Sequence, residues 1–295
     1  MGECLLTAKK PAMEVCTLVK NSNASSQQQQ RWWGWAAVLL AFCSLGVTSA
    51  PGAIELSKAE AARIGRKIWQ NESGGTIAGL TSWNTGENFA SLGIGHFIWY
   101  PRGVRGPFDE SFPELARFAA SRNARLPQVV TANLESGCPW ATRAEFLAAS
   151  DSPEMKQLRK FLADTVDVQA DFLVRRLQKA LPKMLGAAPA GERANIQRQF
   201  DRVASTATGC YALVDYVNFK GEGVLDTERY RGQGWGLMQV LQGMSGAGGG
   251  AAGAREFAAS ARRVLTQRVE NSPPERKESR WLPGWLKRVN TYTQA

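Results

Sequence analysis

Residues 56–101 read LSKAEAARIGRKIWQNESGGTIAGLTSWNTGENFASLGIGHFIWYP. The opening of this stretch carries a helix: Ser57 is an N-cap with Glu60 three residues on, the pattern of a capping box, and Ala61, Ile64 and Ile68 recur at helical spacing. The spacing predicts a helix from Leu56 to Gln70 that leads into Asn71-Glu72. Beyond Glu72 the composition shifts to Gly, Thr, Ser and aromatic residues, with turn signals at Gly74-Gly75 and Thr85-Gly86. That composition predicts turns and short strands, a small β-subdomain.

Working outward, the chain turns helical from Ser111 to about Thr208. Its clearest element is a helix over Asp164 to Leu185, where Val166, Ala170, Leu173, Val174, Leu177 and Leu181 form an apolar stripe that reads as core scaffold. A second apolar helix covers Tyr211 to Phe219, and GWGLMQVLQGM (234–244) a third. SGAGGGAAGA (245–254) reads as a flexible loop, and Arg255 to Glu270 as a basic helix ending before Pro273-Pro274. The tail WLPGWLKRVNTY (281–292) is expected to dock its tryptophans on the core. The fold class is therefore α+β, a mostly α-helical domain over 51–295 with a small β-hairpin subdomain.

Residues 1–50 form a leader. RWWGWAAVLLAFCSLGVTSAP (31–51) is apolar, preceded by net-positive, Ser/Gln-rich sequence, and closed by small residues at Thr48 and Ala50. It reads as an export signal, with an uncleaved anchor through residues 32–48 as the rival. Either reading puts the rest in the periplasm or cell envelope, free or held at the inner membrane. Of five cysteines, only Cys138 and Cys210 lie beyond the leader. An even pair in an exported protein suggests a disulfide, and two buried free thiols are the alternative.

The whole chain of 295 residues carries a formal charge of +10, and its 44% hydrophobic and 21% charged residues are ordinary for a globular protein. Four cations and two anions fall in the first fifty residues, which leaves +8 on the remainder. Such an excess suits a polyanionic partner: nucleic acid, an anionic membrane face or a cell-wall polymer. The chain shows no Cys/His finger or clustered Lys/Arg stripe, and with an export signal this argues against nucleic acid. With His96 as the only histidine, a multi-histidine metal site is excluded, and no metal or cofactor is expected.

Glu72 ends its helix beside Ser73-Gly74-Gly75, where burial against aromatic rings such as Trp69 or Trp83 would let a carboxyl keep a proton to donate. His96, between Gly93-Ile94-Gly95 and Phe97-Ile98-Trp99, is read as a hydrogen-bonded structural residue. Glu222 and Asp215 flank the central apolar helix and its turn; Asp215 could hydrogen-bond inside the cleft, but a surface or capping role is the preferred reading for both.

Asn71-Glu72-Ser73 resembles the helix-ending acid of lytic transglycosylases and goose-type lysozymes, and SLGIGH (91–96) is similar to the strand and turn of phage-type lysozymes. GLMQV (236–240) is similar to a stretch that lines the sugar cleft of transglycosylases. CYALVDYVNFKGEGV (210–224) resembles the central buried helix of phage-type lysozymes. These islands follow the order of the lysozyme superfamily, whereas residues 102–205 match nothing in it and form a helical insertion. The resemblance implies a lysozyme-like fold that cleaves the β-1,4 bond between N-acetylmuramic acid and N-acetylglucosamine in peptidoglycan.

By that resemblance Glu72 is the catalytic acid, Ser91 the water-positioning hydroxyl and His96 the structural histidine of the turn. Ser73, Met238 and Gln239 contact substrate, and Trp83 and Tyr230 offer aromatic faces to sugar rings. Asn218 and Gln233 are candidates for N-acetyl groups. The chain departs from phage-type lysozymes at Thr85, which stands where their aspartate falls and cannot act as a base. Glu87, two positions on, is the nearest candidate for the second carboxylate of an inverting hydrolase. A transglycosylase needs only one glutamate, and the missing aspartate favours it. A wall-binding module of the same fold without catalysis is the other reading.

Overall fold

Helix α1 (Lys58–Ser73) starts as its sequence indicates: the Ser57 side chain accepts from the Glu60 amide, and the Glu60 carboxylate accepts from the Ser57 amide at 2.9 Å. It ends on Gly74, whose left-handed backbone (φ 63°) closes the last turn, so the helix runs three residues past Gln70 and includes Glu72. In the computed structural model, residue 54 and residues 56–294 are described; the expected signal or anchor and its cysteines lie outside them. The described residues belong to one compact unit, Thr48–Ala295. No helix among them is long and apolar enough to cross a membrane.

After α1 a 3-10 turn leads into three short strands, β1 (Thr81–Ser82), β2 (Ala90–Leu92) and β3 (Phe97–Trp99). They form an antiparallel sheet in sequence order, with Ser91 of the central strand opposite Ser82 on one side and Ile98 on the other. Helices α2 (Phe112–Ser121), α3 (Gln128–Thr131), α4 (Arg143–Ala148), α5 (Pro153–Asp164), α6 (Val166–Ala187) and α7 (Ala190–Ala204) follow. Then come α8 (Ala207–Lys220), the two-stranded ribbon β4 (Arg229–Tyr230) and β5 (Gln233–Gly234), α9 (Leu237–Gln242), α10 (Ala251–Asn271) and α11 (Leu282–Asn290). The class is thus α+β, mostly helical with two small antiparallel sheets.

Helix α6 is the scaffold its stripe predicts, with Ala170, Leu173, Val174, Leu177 and Leu181 all buried. Gly65 lets α1 close on it, because a Cβ there would stand 2.7 Å from Val166 Cγ1. Helix α8 is buried on every side from Gly209 to Tyr216, so it passes through the core instead of covering it. Two expectations are corrected here. The run read as a flexible loop over 245–254 gives way to helix α10 at Ala251, where small apolar residues pack Gly253 and Ala254 inward. The tail docks through Trp285, Val289 and Tyr292, while Trp281 stays half exposed.

Cys138 and Cys210 are not paired: both are buried as free thiols. Cys138 sits in the loop bridged to Pro101, its amide donating to the Tyr100 carbonyl at 2.8 Å, and Cys210 lies inside α8. Burial pushes each thiol up to about 12, which leaves them as unreactive packing groups.

Candidate active site

The last turn of α1 delivers Asn71 and Glu72 to the flank of α8, and the C-terminal helix α11 covers them. Asp215, midway along α8, is completely buried, not on the surface or at a cap as its sequence position suggests. Its charge is met in full. Arg288 of α11 donates through Nε to Oδ2 at 2.8 Å and through Nη2 to Oδ1 at 2.9 Å. Tyr292 donates its hydroxyl to Oδ2 at 2.7 Å, and Asn71 its amide to Oδ1 at 3.1 Å. Asn71 also donates to the Tyr211 hydroxyl at 2.8 Å. Burial and the Asp215 charge push that phenol up to about 12.

Glu72 shares the same cation. Arg288 Nη2 donates to its Oε1 at 2.5 Å, and Asn218 Nδ2 donates to the same oxygen at 3.2 Å. Burial works to lower the Arg288 pKa, but the Asp215 and Glu72 carboxylates overcome it and hold the guanidinium above its ordinary value. The setting is therefore ionic, not the aromatic one expected from Trp69 or Trp83. Glu72 Oε2 makes no hydrogen bond among the described residues; the His96 Nδ1 atom stands 3.7 Å away, beyond hydrogen-bond reach. The Glu72 side chain is 14% exposed.

His96 lies against Glu72 because the turn before it is tightly built. Ile94 donates its amide to the Gln169 side chain of α6 at 3.0 Å, and Gln169 in turn donates to the Leu162 carbonyl and the Thr165 hydroxyl. A Cβ at Gly93 would stand 2.3 Å from Gln169 Oε1, and one at Gly95 would press on Phe97 and Leu173. The Gly-Ile-Gly spacing is thus the imprint of α6 on the turn. His96 itself has a left-handed backbone (φ 50°), and its buried Nε2 has no partner. It is not the hydrogen-bonded residue expected; its nearest charged neighbour is Glu72.

The other candidates are placed elsewhere. Glu87 stays in the hairpin between β1 and β2, where its carboxylate accepts from Asn84 Nδ2 at 3.0 Å; no hydrogen bond or ion pair among the described residues joins it to Glu72. Trp83 is buried under that hairpin with its ring on Phe146 and its N–H on the Glu87 carbonyl, so it has no free face for a sugar. Ser91 is buried on β2. Ser73 turns its hydroxyl back to the Trp69 carbonyl at 3.3 Å.

Met238 and Gln239 line a separate cavity of about 650 Å³ between the end of α6, the β4–β5 ribbon, α9 and α10. Gln239 holds the chain there: its Oε1 accepts from the Gly236 amide and its Nε2 donates to the Gly223 carbonyl. Tyr230 donates its hydroxyl to Glu278 at 2.9 Å and packs on Trp235. Glu222 pairs with Lys183.

Sequence reasoning missed Arg288 and Tyr292 and misjudged Asp215. One signal existed: an aspartate amid CYALVDYV, apolar on all sides, demands a buried cation. Comparison of the chain with protein-family models, curated proteins and solved structures found no match.

Proposed function

We propose that this chain is an exported glycosidase of lysozyme-like fold that cleaves the β-1,4 bond between N-acetylmuramic acid and N-acetylglucosamine in peptidoglycan, acting as a lytic transglycosylase. The observation that carries the reading is the division of labour among the carboxylates. Asp215 is sealed with both oxygens bonded, Glu87 bonds only within its own hairpin, and Glu72, at 14% exposure, has Oε1 held by Arg288 and Asn218 while its Oε2 has no hydrogen bond among the described residues.

In this mechanism Arg288 and Asn218 fix Oε1, and a proton on Oε2 passes to the glycosidic oxygen as the C1–O bond breaks. The positive charge that develops at C1 faces a carboxylate, which stabilises it. Glu72 Oε2 then accepts the proton of the sugar's own 6-hydroxyl as that oxygen bonds to C1. Ring closure leaves a 1,6-anhydro product and returns the acid to its protonated state. No second carboxylate is required, consistent with Thr85 in the aspartate position. The +8 beyond the leader suits an anionic wall.

Muropeptides released from sacculi, weighed by mass spectrometry, test this. Fragments lighter by one water than their reducing-end counterparts are expected, and Glu87→Gln should release them at a rate within about twofold of wild type, far from the 100-fold loss of a missing base. Reducing ends that disappear in Glu87→Gln would mean inverting hydrolysis instead. A second reading, a wall-binding module without catalysis, is favoured by the Arg288–Glu72 pair itself, since the carboxylate is engaged by a guanidinium inside the fold and not left free. It predicts binding to sacculi with no fragments.

A further inference from the structure

The 650 Å³ cavity is a site apart from Glu72, and its chemistry differs. Arg229 and Arg263 line it together with Gln233, Gln242, Gln267 and Met238, and no carboxylate does. Arg229 is met only loosely: its Nε stands 3.8 Å from the fully exposed Asp226 carboxylate and donates to the Leu225 carbonyl at 3.4 Å, while Glu192 accepts from Gln242 Nε2 at 2.5 Å. Arg263 makes no ion pair among the described residues; its one hydrogen bond goes to the Gly243 carbonyl at 2.9 Å. The glutamines keep free valences too: Gln267 and Gln242 each retain a carbonyl oxygen, and Gln233 its amide donors. Two guanidinium groups call for carboxylates, and amide side chains set among Ala187, Val224, Met238 and Val264 match the alternating N–H and C=O of an extended peptide.

We propose that this cavity binds a short carboxylate-bearing peptide, the stem peptide of the wall polymer. The carboxylate-peptide class follows from the lining; its identity as the stem rests on the proposed function. Spacing supports the pairing. Asn218, at Glu72, and Val224, in the cavity lining, are six residues apart, so at most about 20 Å of chain separates them. An extended tetrapeptide spans roughly 14 Å, a length of the same order as that upper limit, so the separation is compatible with a sugar at Glu72 and its stem in the cavity. The cavity then selects strands whose stems still carry free carboxylates.

The test uses the full chain, titrated calorimetrically with the free tetrapeptide stem and, separately, with the same peptide amidated at its carboxylates. The tetrapeptide is expected to bind saturably at one site, and Arg263→Gln and Arg229→Gln should each weaken it about tenfold, with amidation doing the same. Circular dichroism and melting temperature show whether each variant is folded, and Gln267→Leu supplies a neutral change in the same wall, expected to weaken binding less. No saturable binding, or equal binding by the wild type and both arginine variants, overturns the inference. Failure of the functional reading looks different: peptide binding with no cleavage of sacculi removes the enzyme and leaves the site. Cleavage with no peptide binding removes the site and leaves the enzyme.

Discussion

Asp215 stands at zero exposure with four hydrogen bonds to its two oxygens, two of them from Arg288. Taking a carboxylate out of water is costly unless a cation goes with it, and the cation also reaches Glu72. Arg288→Met therefore leaves a buried charge with only Tyr292 and Asn71. It should cost about 3–5 kcal/mol in urea unfolding. Adding Asp215→Asn should recover a large part, since the neutral amide no longer needs the guanidinium. A loss under about 1 kcal/mol for Arg288→Met would mean that Asp215 is not held by it. Nothing near Arg288 in sequence announces this: the tail reads as docking through its tryptophans, and the partners of Arg288 lie 73 and 216 positions away.

At the scale of elements, the local signals were legible and the long-range ones were not. The capping box and apolar spacing placed α1, and Gly74 extended it to include Glu72. Turn residues placed the small sheet, and the stripe of α6 placed the scaffold. The same stripe hid Gln169, a buried polar residue beside it whose role appears only when the turn carrying His96 is packed against it. Residues 102–205 had no counterpart in the resemblance, yet α6 within them shapes that turn. Gln169→Leu should leave the Ile94 amide unpartnered, cost about 1–3 kcal/mol, and speed hydrogen exchange at Ile94. Unchanged exchange there would show that the turn stands without α6.

Across the described residues, the last segment packs back on the first helix: the segment that carries Arg288 and Tyr292 also accepts, at the Gln294 carbonyl, a hydrogen bond of 2.6 Å from Lys67 of α1. One consequence is pH dependence. Lys220, at the end of α8, places its amine over the Trp285 and Phe219 rings at 3.4 and 3.9 Å. Burial, with the Arg268 charge, pushes its ammonium down to about 6 from an ordinary 10.5, against the pull of Glu278. Between these values the unfolded chain holds a proton that the folded one lacks, so this group's contribution to stability rises with pH from about 6 toward 9 and is lost below 6. Lys220→Met should flatten that slope in urea midpoints taken at pH 6, 7.5 and 9. Parallel curves for the two proteins would contradict it.

Glu72 as the proton donor is the claim on which the functional reading stands, and its most direct test compares wild type with Glu72→Gln on purified sacculi. Initial rates of fragment release are measured beside binding to the same sacculi and a melting curve for each protein. A glutamine keeps the shape and the acceptor for Arg288 and Asn218 but has an amide nitrogen in place of the second oxygen, which cannot serve as the acid. The expected result is a folded variant that binds sacculi like the wild type and releases fragments about 100- to 10,000-fold more slowly. Cleavage at a rate near wild type would contradict the assignment of Glu72 outright.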